Sequence, residues 1–375
     1  MIKKKTNIFL LLIGIIFLSS LLLSYQLDKK SLWADELFSL IAGKKAINSY
    51  SELANFVKKD VHPPLYFYLL GKWMKLTGIN DFSMRLFSVF SAILMLILLY
   101  LLTAKILSER IALLSVMLTS LSPFFILYAR MARYYSFVGM LFLLNCYLFF
   151  QLLENEGKTI YTIFYIISSA ALVSSFYPAI SVVAAQNLYF FFLRQNKKTL
   201  KNWLLIQVIL FLLIVLFCYP AINQLNRFKK DIPADISESF IGILTSSLDL
   251  FYEFSAGGTT FPWKIEGIFL FLINSTLFIS GILLLKKEKK RILNFLIIHF
   301  LMPYLITLFL FSFITKGHSF IFFASRCFYI FPIYTIIISC RLDKSKKFAF
   351  AFILILILAF NSFSIRNYFI DKSFL

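Results

Sequence analysis

The feature that most constrains this chain is the recurrence of long apolar runs joined by short, basic links. The runs fall at about 8–25, 82–104, 111–127, 136–153, 159–174, 178–193, 203–219, 264–285, 292–314, 320–340 and 348–365. A stretch of roughly 20 apolar residues satisfies its backbone hydrogen bonds internally as a helix and can cross a bilayer. The expected fold class is therefore an all-α polytopic membrane protein with 11 transmembrane helices. A soluble alternative fails because 60% of the 375 residues are hydrophobic and no polar linker divides them into domains. Residues 1–375 read as a single membrane-embedded domain.

The charge follows the same logic. A formal net charge of +20 invites a nucleic-acid reading, but the cations sit in the links rather than on one polar surface. Arg194, Lys197, Lys198 and Lys201 fill one link; Lys286, Lys287, Lys289, Lys290 and Arg291 fill another; Arg341, Lys344, Lys346 and Lys347 fill a third. Basic links mark the cytoplasmic side. With Lys3, Lys4 and Lys5 ahead of the first run, the N-terminus is expected in the cytoplasm, and the run itself as an uncleaved first helix. Cys146, Cys218, Cys327 and Cys340 lie in or beside apolar runs and read as buried small residues. The Lys-, Ile- and Phe-rich composition fits an AT-rich bacterial genome.

Two long segments then face outward, 26–81 and 220–262. In the first, Leu37-Phe38, Leu40-Ile41, Ala46-Ile47 and Leu53 recur at helical spacing among lysines, as expected of amphipathic helices lying in the interface. The second carries Pro220, Pro233, Pro262, Asp231, Asp235, Glu238, Asp249 and Glu253; it reads first as a solvated connector, and as an alternative as a mobile acidic loop at a substrate entrance.

Against this topology the exceptions carry the chemistry. Asp35 and Glu36 stand beside Trp33 just after the first run, far from any basic cluster. Adjacent on a helix, they would point about 100° apart and take different roles. They also suit the first turn of an interfacial helix, where acids complement its dipole. His62 precedes Pro63-Pro64, which favour the first turn of a helix and would fix its direction. Arg130 and Arg133 lie on the outer side, where arginine is scarce, and Arg85 sits just inside the second run. Arg326 falls about six residues into a later run, flanked at the outer edge by Lys316 and His318; at ~1.5 Å per residue that is a depth of roughly 9 Å. Cations gathered where the topology disfavours them call for an anion, and guanidinium forks match phosphate oxygens. A carboxylate beside a held phosphate suits sugar transfer, with the acid as general base and the cations stabilising the leaving group. A metal held by His62, Asp35 and Glu36 has no ligand spacing behind it, and no nucleotide-cofactor fingerprint is present, so no cofactor is expected.

The ordered set Trp33-Ala34-Asp35-Glu36, His62-Pro63-Pro64-Leu65-Tyr66, Arg85-Leu86 and Ala132-Arg133-Tyr134-Tyr135 resembles the GT-C superfamily of integral membrane glycosyltransferases. Within it, the set resembles in particular the bacterial relatives of protein O-mannosyltransferases and aminoarabinose transferase. The resemblance covers residues 1–200 well and the rest loosely; Ser325-Arg326 with Pro332 looks like the pattern of a late span. It implies inverting transfer of a hexosyl or pentosyl group from a polyprenyl-phosphate-linked donor at the outer membrane face. Asp35 would be the base, with Glu36 beside it. His62, Arg85, Arg130, Arg133, Tyr135, Lys316, His318 and Arg326 would line the donor. The acceptor, an envelope lipid, polymer or protein, stays open. Two other readings remain: a flippase for a polyprenyl-linked saccharide, which needs charges at mid-membrane depth, and a non-catalytic envelope-assembly subunit, which would tolerate loss of Asp35.

Overall fold

The structure is a computed structural model and describes residues 2–155, 158–193, 196–218, 224, 240–315 and 323–370. Among these, every regular element is a helix. The first helix, α1 (Ile2–Ser24), is predominantly apolar beyond its lysine-rich start, and only 11% of its Asn7–Ser24 stretch is buried. Leu10, Leu11, Phe17 and Leu18 face outward, as a lipid-contacting helix requires.

Over their described residues all eleven expected runs are helical, yet they do not all cross as one rod. Among the described residues, seven helices are long and apolar enough to span a membrane, including α1, α5 (Asp81–Ile106), α8 (Tyr135–Glu154) and α11 (Lys197–Cys218). An eighth span forms if α6 (Glu109–Ser120) and α7 (Pro123–Ala129) are counted together, with a 66° bend between them. Pro123 starts α7 and has no N–H to continue α6. The run expected at 320–340 is likewise broken. A short helix, Phe323–Arg326, ends at Cys327, and Phe331–Asp343 restarts with Pro332 in its first turn. Arg326 therefore sits at a break between helices, not partway down a continuous span.

The remaining two runs, α9 (Thr159–Val173) and α10 (Ile180–Phe192), are short and held by polar contacts. Asn145 on α8 donates to Ser168 Oγ and Ser169 Oγ at 3.0 and 2.7 Å. It accepts from Gln186 at 2.7 Å, and Gln186 in turn accepts from Tyr165 at 2.7 Å. In an apolar surround each such group must find a partner on a neighbouring helix, so the network fixes how α8, α9 and α10 meet.

Residues 26–80 build three short helices over one end of the bundle: α2 (Ala34–Asn48), α3 (Tyr50–Val57) and α4 (Leu65–Thr77). Ser49 caps α3 by accepting from the Glu52 N–H, and Asn80 caps α5 by accepting from that of Ser83. The buried face of α2 is not its large apolar residues. Ser39, Ala42, Gly43 and Ala46 turn inward, while Leu37 and Ile41 stay exposed. Small residues let α2 and α4 approach backbone to backbone. A Cβ added to Gly71 would lie 2.6 Å from both Ala46 Cβ and the Gly43 carbonyl oxygen. This contact sets the start of α2, with Asp35 and Glu36, against the turn carrying His62.

The second long segment is also more structured than a connector. Its later part is the helix Phe240–Ala256, which packs on Ile265–Glu288 and α7 and buries Leu250 and Phe254. Pro220, Asp231, Pro233, Asp235 and Glu238 lie outside the described residues.

Gly71→Ala should therefore destabilise the protein by ~1–3 kcal/mol through overpacking of α2 on α4. Thermal melting of the purified chain in detergent measures it; a loss below about 0.5 kcal/mol would mean the two helices separate freely.

Candidate functional site

Glu36 is the residue around which the site is assembled. Its carboxylate is 2% exposed and accepts a fork from Arg85, Nε to Oε1 at 2.9 Å and a terminal nitrogen to Oε2 at 2.7 Å. It also accepts the backbone N–H of Ala132 at 2.8 Å and that of Trp33 at 3.4 Å. Arg85 spends its other N–H groups on the carbonyls of Leu27, Lys30 and Ser31, at 2.9, 2.7 and 3.0 Å. A guanidinium has five N–H groups, and all five are engaged. In this geometry neither Glu36 nor Arg85 has capacity left for a substrate; together they clamp the turn after α1, the start of α2, the start of α5 and the turn before α8.

Asp35 differs in every respect. Its side chain is 43% exposed, and its Oδ2 lies 3.5 Å from a terminal nitrogen of Arg133. Arg133 is buried and links three parts of the site. One terminal nitrogen donates to the Asp35 carbonyl at 3.1 Å, and the other reaches His62 Nε2 at 3.0 Å. Its own carbonyl accepts from Ser88 on α5 at 3.3 Å. The ring of Tyr134 lies 5.2 Å from the guanidinium, and the Tyr135 phenol adjoins it.

His62 is fixed at both nitrogens. Since Arg133 can only donate, Nε2 must accept, so the proton sits on Nδ1 and points at Asp60 Oδ1, 3.2 Å away. Burial lowers the imidazole pKa and the charges of Arg133 and Arg326 lower it further, outweighing Asp60. Burial raises the Asp60 carboxyl, but His62 and the Val61 N–H outweigh it and hold it below the ordinary carboxylate range. Arg326 acts through its charge on both His62 and Tyr134, so it stands within electrostatic range of this site.

The structure thus brings together Asp35, His62, Arg133 and Tyr135, with Arg326 within range of their charges. Glu36 and Arg85 stand directly behind them. Arg130 is separated from this group. It donates to the carbonyls of Leu22 and Gln26 and lies against Tyr368 and Phe369. Lys316 and His318 lie outside the described residues. Among the described residues no three His, Cys, Asp or Glu side chains converge as a metal-binding group.

Sequence reasoning does not single out two residues near the site, Asp60 and Glu253, the latter read only as one acid of the second long segment. Asp60 carries a visible signal, an acid two residues before a histidine fixed by prolines. Glu253 carries none, because its place depends on long-range packing. The Tyr128 hydroxyl donates to Glu253 Oε2 at 3.0 Å, and Tyr128 packs on Tyr135 at 5.6 Å between ring centres. Burial and then Asp249 push the Glu253 carboxyl up to about 8.

Two outcomes follow for stability. Glu36→Gln breaks the close fork on a buried guanidinium and should cost ~3–5 kcal/mol in denaturant unfolding; Asp35→Asn removes a half-exposed carboxylate 3.5 Å from the buried Arg133, which keeps its bonds to the Asp35 carbonyl and His62, and should cost only ~1–2 kcal/mol. Equal losses would contradict the division between them. His62 is held below its ordinary 6.5, so below that pH the folded chain binds fewer protons than the unfolded one. Its contribution is full above 6.5 and is lost as the pH falls. The melting temperature should drop between pH values of about 7 and 5, and drop less in His62→Gln; equal drops would place the titration elsewhere.

Comparison with known proteins bears on the whole arrangement. Residues 61–220 match the family described as dolichyl-phosphate-mannose-protein mannosyltransferase. An uncharacterised protein of Aquifex aeolicus (strain VF5) is 25% identical over 287 residues, 75% of this chain and 56% of that protein. Among solved structures, ArnT from Cupriavidus metallidurans bound to undecaprenyl phosphate superposes with a TM-score of 0.60 at 13% identity, over 93% of this chain and 62% of that one. The oligosaccharyltransferase AglB from Archaeoglobus fulgidus, in complex with an inhibitory peptide and a dolichol-phosphate, gives 0.58 at 13%, over 97% and 56%. The chain spans less than two thirds of the length of each of these three relatives. With its all-helical membrane architecture and the ordered motifs on residues 33–36, 62–66, 85–86 and 132–135, the chain has the fold of the GT-C integral membrane glycosyltransferases.

Proposed function

We propose that this chain transfers a glycosyl group from a polyprenyl-phosphate carrier to an acceptor hydroxyl, with Asp35 as general base. The observation that carries the reading is the division between the adjacent acids. Glu36 is saturated by Arg85 and backbone N–H groups, which leaves Asp35 as the open carboxylate beside Arg133. In the reaction Asp35 takes the acceptor proton as the acceptor oxygen attacks the anomeric carbon. The bond from that carbon to the carrier phosphate breaks, and the phosphate departs with the electron pair. Arg133 and Arg326 stabilise the charge developing there.

His62 supports this from the side. With Nδ1–H turned to Asp60, its Nε2 fixes the Arg133 fork rather than acting as an acid. Arg85 is assigned to positioning, because its N–H groups are already used. The solved relatives hold undecaprenyl phosphate and a dolichol-phosphate, carriers of the proposed class. The reaction is assigned to the non-cytoplasmic face, because the strongly basic links lie at the other ends of the spans. The flippase reading is less favoured. The buried charged side chains Glu36, Arg85, Arg130 and Arg133 cluster at this one face, and the buried network of Asn145, Gln186 and Tyr165 inside the bundle is neutral.

Asp35→Asn should lower sugar transfer ~10²–10⁴-fold while leaving carrier binding within a factor of about two. Arg326→Ala should instead weaken carrier binding ~10-fold or more. Membrane-reconstituted transfer assays with a labelled polyprenyl-phosphate sugar, alongside carrier binding, read both. Retained turnover in Asp35→Asn removes it as base; unchanged carrier affinity in Arg326→Ala leaves that residue a packing role.

A further inference from the structure

Arg130 stands apart from the other candidate residues, and it is a costly residue to place where it is. The residue is 4% exposed, and among the described residues no carboxylate pairs with it. Two of its N–H groups reach the carbonyls of Leu22 and Gln26, at 3.3 and 3.1 Å. Its Nε is buried with no hydrogen-bond partner among the described residues. The rings of Phe369 and Tyr368 lie 4.6 and 5.3 Å from the guanidinium carbon. A buried cation left without an acid is strongly unfavourable unless something supplies the charge.

This arginine lines a cavity of about 310 Å³ together with Lys29, Lys30, Arg85, Tyr368 and Phe369. The acid in its wall is Glu36, which Arg85 already neutralises. Lys29 forms no ion pair with a described residue, and Lys30 donates to the Tyr368 carbonyl at 2.8 Å. Asp35, His62, Arg133 and Arg326 are not part of the wall. The Glu36–Arg85 fork thus borders both spaces, with the transfer residues on one side and this cationic cavity on the other.

Its position says what kind of anion fits. The cavity lies at the ends of α1 and of the helix Lys347–Ile370, whose spanning windows are only 11% and 17% buried. Leu21 and Tyr25 are exposed close by. An anion with apolar chains could set its charge against Arg130 and Lys29 and lay the chains along these two helices.

We propose that this cavity is a second anion site, which holds the phosphate of a lipid headgroup where α1 and Lys347–Ile370 end. The site stands whether or not Asp35 is the base. The test uses the full chain in dodecyl maltoside, with native mass spectrometry of bound phosphatidylglycerol and with dioleoylglycerol as the phosphate-free probe. The wild type should bind phosphatidylglycerol and not dioleoylglycerol. Lys29→Glu, an exposed position, should weaken that binding roughly thirtyfold. Arg130→Gln should weaken it further if it folds, while Lys44→Glu, an exposed charge on α2, should leave it unchanged. Equal binding by wild type and Lys29→Glu, or binding of both lipids alike, overturns the site. An arm with tens of millimolar inorganic phosphate distinguishes the sources: failure to displace the lipid supports a headgroup, and full displacement overturns the lipid assignment in favour of a free anion.

Discussion

The fork between Glu36 and Arg85 is the interaction on which the rest of the site depends. It joins residues 49 apart in sequence and removes both charges from solvent. Burying such a pair gains little net energy, because the desolvation cost roughly matches the attraction. What it supplies is position. The arginine also ties down the carbonyls of Leu27, Lys30 and Ser31, and the glutamate holds the Ala132 N–H. Four segments that would otherwise be loops or helix ends thereby share one geometry.

That geometry distributes work between neighbours in sequence. Asp35 and Glu36 share the first turn of α2, so fixing one inward turns the other along the surface toward Arg133. The same holds for Arg130 and Arg133, which leave their turn on opposite sides. Arg133 meets Asp35 and His62, while Arg130 meets the aromatic end of the Lys347–Ile370 helix. The close approach of α2 to α4 at Gly43 and Gly71 completes the frame by fixing how far His62 stands from Asp35.

Much of this was legible in the sequence, and the reasons are physical. Apolar runs must be helical in a bilayer, so their positions could be read directly. Basic links and misplaced arginines reflect charge costs, so the meeting of Asp35, His62 and Arg133 could be anticipated. Composition says nothing about which N–H meets which oxygen, so the saturation of Arg85 and the separate place of Arg130 could not. Breaks at Pro123 and Cys327 were hidden because hydropathy does not register a bend. The burial of α2 through Ser39, Ala42 and Gly43, rather than through Leu37 and Ile41, was hidden for a related reason: close backbone packing selects for size, not for hydrophobicity.

The central claim is that one of two adjacent carboxylates does chemistry and the other holds structure. Chemical rescue separates them most directly. Asp35→Gly and Glu36→Gly variants, reconstituted with donor and acceptor, would be assayed for sugar transfer with and without added formate, a small carboxylate able to enter the vacated space. The account predicts that formate restores transfer to the Asp35 variant and not to the Glu36 variant. Rescue of the Glu36 variant instead, or of neither, would contradict it.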